Sequence, residues 1–214
     1  MNKLSRTTLS RIPMFLLLAA ALLLPALASA QEASPSKLVL ENSQRILSTL
    51  EKRRGEFKQD RGALEAFIAS EFTSTFDRDY AARQVLGRHG RGASAADVKL
   101  FADALADSLM RRYGSSLLDF NSQLKVRIKS ETALPRGLGV KVSSELLRKG
   151  GEPIPVDYLM RKSGGTWKVF DVMVEGVSFV QTFRRQFDNE LSHKSIRQVA
   201  AELASGKVSA DAGR

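Results

Sequence analysis

Apolar residues recur every third or fourth position through the first half of this chain and every second position from about Ser122 onward, so helices precede strands. Pro35 to Lys52 carries Leu38, Val39, Ser43, Ile46, Leu47 and Leu50 on one helical face, and Arg61 to Phe76 carries Leu64, Phe67, Ile68, Phe72 and Phe76. Each stripe has a polar face opposite it, which predicts two amphipathic helices with a break at Arg53-Arg54-Gly55. A short third helix is expected over Tyr80 to Gly87, then a loop at Gly90-Arg91-Gly92. Ser94, with Asp97 following, is a candidate N-cap for a long helix bearing Val98, Phe101, Leu105, Leu109 and Tyr113, and the pattern extends it to Leu118.

From Ser122 the period becomes two. Leu124, Val126 and Ile128 alternate with Lys125, Arg127 and Lys129, and Leu138, Val140 and Val142 follow across a turn containing Pro135. Val156 to Lys162 and Thr166 to Val174 are two further strands joined by a hairpin at Ser163-Gly164-Gly165. Pairing Ser163 with Thr166 sets Met160 opposite Val169, Tyr158 opposite Asp171 and Val156 opposite Met173 on one face, with Arg161, Lys168, Phe170 and Val172 on the other. Two closing helices carry Val180, Phe183, Phe187 and Leu191, then Ile196, Val199, Ala200 and Leu203, and residues 206–214 read as a loose tail. Helices, an antiparallel sheet of about four strands and more helices make an α+β domain spanning residues 31–205.

The first thirty residues change the setting of that domain. Lys3, Arg6 and Arg11 precede an unbroken apolar run from Met14 to Leu24, and Ala28-Ser29-Ala30 is a small-x-small cleavage site. The run is well short of the roughly 20 residues that cross a bilayer, so residues 1–30 read as a cleaved export signal. Its removal takes three basic residues and no acidic one, leaving +7 of the formal +10. Cysteine is absent, which excludes disulfides, thiolate metal sites and Cys nucleophiles and suits an exported protein of a bacterial periplasm.

Candidate chemistry is sparse. His89 and His193 have no acidic residue at metal-ligand spacing and read as surface residues; no metal or cofactor is expected. Gly90-Arg91-Gly92 and Gly150-Gly151 lack the strand-to-helix setting of a phosphate loop, and no G-x-S-x-G elbow occurs. Asp171 facing Tyr158 on an apolar sheet face would allow an acid/base pair, hence an enzyme acting on a small apolar substrate; the plainer reading is a carboxylate that hydrogen-bonds helix backbone or a tyrosine hydroxyl. Basic pairs such as Arg111-Arg112, Arg148-Lys149 and Arg184-Arg185 are scattered without the interleaved aromatics of RNA-binding sheets, so a nucleic-acid partner is not expected. In an exported protein such charge suits anionic lipid surfaces or acidic partner patches.

Val156-Asp157-Tyr158, Arg161-Lys162, Trp167-Lys168-Val169-Phe170-Asp171-Val172, Glu175-Gly176-Val177-Ser178 and Phe183-Arg184-Arg185-Gln186-Phe187 together resemble the MlaC (toluene-tolerance) family. Phe76, Leu86-Gly87-Arg88, Phe101 and Tyr113 fit the same pattern upstream, so the likeness runs from about Leu38 to Leu203; Gly90 departs from it, standing where a bulky aromatic or basic residue is expected. The resemblance implies a non-enzymatic periplasmic carrier of phospholipid, with acyl chains in an apolar cavity between sheet and helices and the head group outside. It also implies an outer-membrane lipoprotein with porin and an inner-membrane ABC transporter complex as partners, and a monomer is expected.

Such a carrier must keep about 30 methylenes from water, at about 0.8 kcal/mol each. The residues expected to line the cavity are Val140, Val142, Val156, Tyr158, Met160, Val169 and Met173 from the sheet and Leu86, Phe101, Leu105, Val177, Val180 and Phe183 from the helices. Spacing alone allows a solidly packed core as well, and with it an envelope interaction module that carries nothing.

Overall fold

Helix α1 (Pro35–Lys52) starts where Ser34 Oγ accepts the Lys37 amide at 3.3 Å and Pro35 fills the first turn, the place where its missing N–H does no harm. The computed structural model describes residues 33–114, 118 and 124–211; the expected export signal lies outside them. Arg53-Arg54-Gly55 is more than a break, because a short helix α2 (Arg54–Gln59) follows directly and buries Phe57 beside Phe67, ring centroids 5.6 Å apart. Helix α3 (Arg61–Thr75) is capped by Asp60, and α4 (Arg78–Leu86) by Asp77. A 3-10 turn, Gly87–Gly90, leads toward α5 (Ala95–Tyr113), whose first turn is capped as expected by Ser94 Oγ accepting the Asp97 amide at 3.0 Å. Gly90 is buried in that turn, and a Cβ there would stand 3.0 Å from Leu86 Cβ, so the bulkier side chain expected at this position would require Leu86 to shift. Helix α5 ends at Tyr113, short of the expected Leu118.

Five antiparallel strands follow in meander order: β1 (Lys125–Ala133), β2 (Val140–Leu147), β3 (Ile154–Ser163), β4 (Thr166–Val174) and β5 (Val177–Ser178). The β3–β4 turn is a tight two-residue loop with both glycines at positive φ, 59° for Gly164 and 82° for Gly165, so Ser163 pairs with Thr166 as predicted. Met160 faces Val169, but Leu159 pairs with Asp171, which leaves Phe170 as an extra residue in β4. This bulge reverses every later position. Tyr158 therefore faces Val172 and Val156 faces Val174, correcting the expected Tyr158–Asp171 and Val156–Met173 pairs.

Helix α6 (Phe179–His193) leaves β5 without a loop, and α7 (Ile196–Ser205) opens on a capping box formed by Ser195 and Gln198. The expected loose tail is ordered through residue 211: the Ala210 amide donates to Ser108 Oγ at 3.0 Å, the Asp211 amide donates to Gln186 Oε1 at 3.1 Å, and Ala210 is fully buried. Among the described residues no helix is long and apolar enough to cross a membrane.

Candidate functional site

The sheet has two faces with different fates. Register places Ile128, Val140, Val142, Val156, Tyr158, Met160, Val169, Val172 and Val174 on one face, and Leu159, Arg161, Lys168, Asp171 and Met173 on the other. Residues 76–77 carry the chain across the β4 edge between them: Phe76 bridges to Val169, and the Asp77 amide donates to the Val169 carbonyl at 2.8 Å. Helices α1 and α3 thus lie over the apolar face, α4 and α6 against the other.

On the second face the polar side chains Arg161 and Asp171 are each held by partners. Asp77, the N-cap of α4, pairs with Arg161, whose guanidinium sits 4.3 Å over the Tyr80 ring, and Tyr80 meets the bulged Phe170 edge-on at 5.2 Å. Asp171 is 5 % exposed; it accepts the Ser178 hydroxyl at 2.6 Å and the Val180 amide at 3.0 Å, anchoring the start of α6. Burial pushes its carboxyl above the ordinary range, opposed by the bonds from Ser178 and the α6 amides. Asp171 and Tyr158 lie on opposite faces, so the acid/base pair considered from sequence does not exist, and the plainer role of Asp171 is the observed one.

The apolar face is only partly sealed. Val142, Met160 and Val169 are buried beneath Val39 of α1, with Phe76 packed alongside, while Ile128, Val140, Tyr158, Trp167 and Val172 are half-buried. Ser36 ties the start of α1 to Glu131 of β1 at 2.6 Å, and burial raises the pKa of the Tyr158 hydroxyl, opposed by Ser43 of α1. Further along, Ile46, Phe67 and Phe72 are half-buried around a cluster of Leu50, Phe57, Leu64, Ile68 and Leu118. Partly buried apolar side chains of the sheet and of α1 and α3 thus border one another on this face.

The helical residues expected to line this space lie elsewhere. Leu86, Phe101, Leu105 and Phe183, with Val180 at the margin, pack with Phe187, Val199 and Leu203 into a core built by α4–α7. That core is closed: Phe101, Phe187, Val199 and Leu203 have no exposed surface. A helical period shows that a stripe is buried but not against what, and here each stripe is satisfied by another helix. Val177 is 49 % exposed in β5, and Met173 faces away from the apolar floor. Val140, Val142, Val156, Tyr158, Met160 and Val169 share one sheet face, and Val172, Trp167, Val39 and Phe76 join them there.

Elsewhere the surface carries an open depression of about 390 Å³ beside His89, Arg91 and Ile196, bordered by side chains that already have partners, Asp97 with Arg197 and His89 with Asp188. Among the described residues no group of three or more His, Asp or Glu side chains is placed to hold a metal.

The model of the MlaC protein family matches residues 40–205, well over half of the chain. The chain belongs to the MlaC family. Two of its relatives are the toluene tolerance protein ttg2D of Pseudomonas putida, 27% identical over 187 residues with 83% of this chain and 85% of the relative covered, and the intermembrane phospholipid transport system binding protein MlaC of Haemophilus influenzae, 25% identical over 175 residues with 80% and 81% covered. Among solved structures, the phospholipid-binding protein from Ralstonia solanacearum, determined in complex with a phospholipid, shares the fold with a TM-score of 0.69 at 22% identity, covering 81% of this chain and 98% of its own. The MlaC match runs from α1 through α7 and so includes both the half-covered sheet face and the closed helix core.

Proposed function

We propose that this chain is a periplasmic phospholipid carrier that holds acyl chains on the sheet face between α1 and α3 and leaves the head group in water. The observation that carries the reading is the contrast between two apolar cores in one molecule. At the centre of the α4–α7 core Phe101, Phe187, Val199 and Leu203 have no exposed surface, whereas Ile128, Val140, Tyr158, Trp167 and Val172 stay partly exposed on a face whose polar members, Ser144 and Glu131, are already hydrogen-bonded. Tyr158 is largely buried and offers its ring to this face. Acyl chains laid there exchange water contact for apolar contact on both partners, at about 25 cal/mol per Å². The phospholipid named in the Haemophilus and Ralstonia relatives supports the same cargo.

Carriage needs no covalent step and no cofactor. The cargo passes between an outer-membrane lipoprotein with porin and an inner-membrane ABC transporter complex, and the net positive charge favours encounter with acidic partner surfaces. Solvent extraction and mass spectrometry of protein purified from a bacterial periplasm are expected to find phospholipid at near-equal molar amount. Val172→Trp, which fills the half-covered floor without entering the sealed part, is expected to lower that occupancy several-fold while the protein stays folded. A folded, lipid-free protein in both cases would sink the reading.

A further inference from the structure

Helix α3 carries a charge on its apolar stripe. Leu64, Ile68 and Glu71 follow one another at helical spacing and all three are buried, Glu71 at 9 % exposure. Its Oε1 accepts from Nη1 of Arg45 in α1, and the same guanidinium donates to Asn42 Oδ1 at 3.0 Å. Its Oε2 is buried with no hydrogen-bond partner. Arg45 lies in α1, whose Val39 packs on the sheet face, and Glu71 adjoins Phe72, which stacks on Phe76 at 4.2 Å where that ring packs on the same face. Arg45–Glu71 therefore spans from one wall of the apolar floor to the other, and among the described ion pairs it is the one that joins α1 to α3.

We infer that Arg45 and Glu71 form a clasp that closes α1 onto α3 over bound lipid and opens for each exchange of cargo. The inference rests on the carrier reading. Closed, the pair removes the route by which water reaches the acyl chains between the helices. Opening is cheap for a specific reason: the carboxylate is only half satisfied, so separation of the helices hydrates an oxygen that has no partner in the closed state. Arg45, half exposed on the outer side, already has part of its guanidinium in water and can swing away without leaving a buried cation. A purely structural pair has no need of an orphaned oxygen, and an apolar pair of the same shape would seal the walls permanently.

The test follows a fluorescent phospholipid as it leaves the loaded protein for vesicles of phosphatidylethanolamine and phosphatidylglycerol. Glu71→Gln keeps the shape and removes the charge, and Arg45→Met removes the partner at a half-exposed position. Each is expected to speed lipid release by about tenfold, the scale of one lost charge-assisted tie, with occupancy after purification unchanged. The exchanged pair, Arg45→Glu with Glu71→Arg, is expected to bring release back toward the original rate. Release at the original rate from both folded single variants, or fast release that the exchanged pair does not slow, overturns the clasp and leaves the carrier reading standing. Absence of extractable lipid from the unsubstituted protein overturns the carrier reading itself.

Discussion

Glu175 occupies the first position of the two-residue turn between β4 and β5 at φ 51°, followed by Gly176 at φ 82°. That turn matches strand twist but asks a residue with a Cβ and a long side chain to adopt the left-handed region, where asparagine is at home. Glu175→Asn is expected to raise unfolding free energy by about 0.5–1 kcal/mol, read from urea titration. Asp171 makes a prediction of opposite flavour. Its folded-state pKa is raised by burial, so the native protein holds that proton more tightly than the unfolded chain, and stability is lost as pH rises from about 3.8 through the folded value. Asp171→Asn has no proton to lose, so melting temperature measured in parallel from pH 4 to 7 is expected to shift in the variant's favour as pH increases. A difference that stays flat with pH would mean the carboxyl keeps its ordinary acidity. Both residues illustrate where single positions defeat a pattern: Asp171 looked like a neighbour of Tyr158 because strict alternation was extended through Phe170, and no glycine or proline in Lys168-Val169-Phe170 advertised the bulge.

At the level of elements, periodicity found what local physics dictates and no more. The limits of α1 and β4, the Ser94 cap and the Ser163–Thr166 register were all legible, because caps, turns and amphipathic stripes are decided within a few residues. Partner choice is decided by tertiary packing, and so the stripes of α4–α6 were assigned to the sheet when they belong to one another and to α7. The face of Val140, Val142, Val156, Tyr158, Met160 and Val169 was legible for the same reason: strand residues declare their face, helix residues declare only that they have one. The distinction predicts two kinds of mutant. Phe101 is wholly buried and meets Phe187 edge-on at 5.5 Å in the closed core, so Phe101→Ala is expected to cost about 3–5 kcal/mol of stability with lipid present or absent, measured by denaturant unfolding of loaded and stripped protein. A loss confined to the loaded protein would place Phe101 against cargo after all.

The whole molecule pairs a helical core whose central residues are wholly buried with an apolar sheet face whose side chains stay partly exposed, and on the carrier reading this asymmetry governs how stability responds to cargo. A ligand that binds only the native state stabilises by about 4 kcal/mol when present at a thousand times its Kd. For a domain of this size each kcal/mol moves the melting temperature by about 2–4 °C, so stripping the lipid is expected to lower it by about 10 °C. The loss should also be uneven. Helices α1–α3 and strands β1–β4 meet at the half-covered face and lose a packing partner, while α4–α7 keep every contact they had. Hydrogen exchange of stripped against loaded protein is therefore expected to show faster exchange in residues 35–75 and 125–174 and unchanged protection in the buried turns of α5 and α6. A uniform rise in exchange would mean that one cooperative core spans the molecule, and equal melting temperatures with and without lipid would mean that the sheet face closes by itself. Either result would contradict the separation of a closed scaffold from an open, cargo-completed face on which the carrier reading depends.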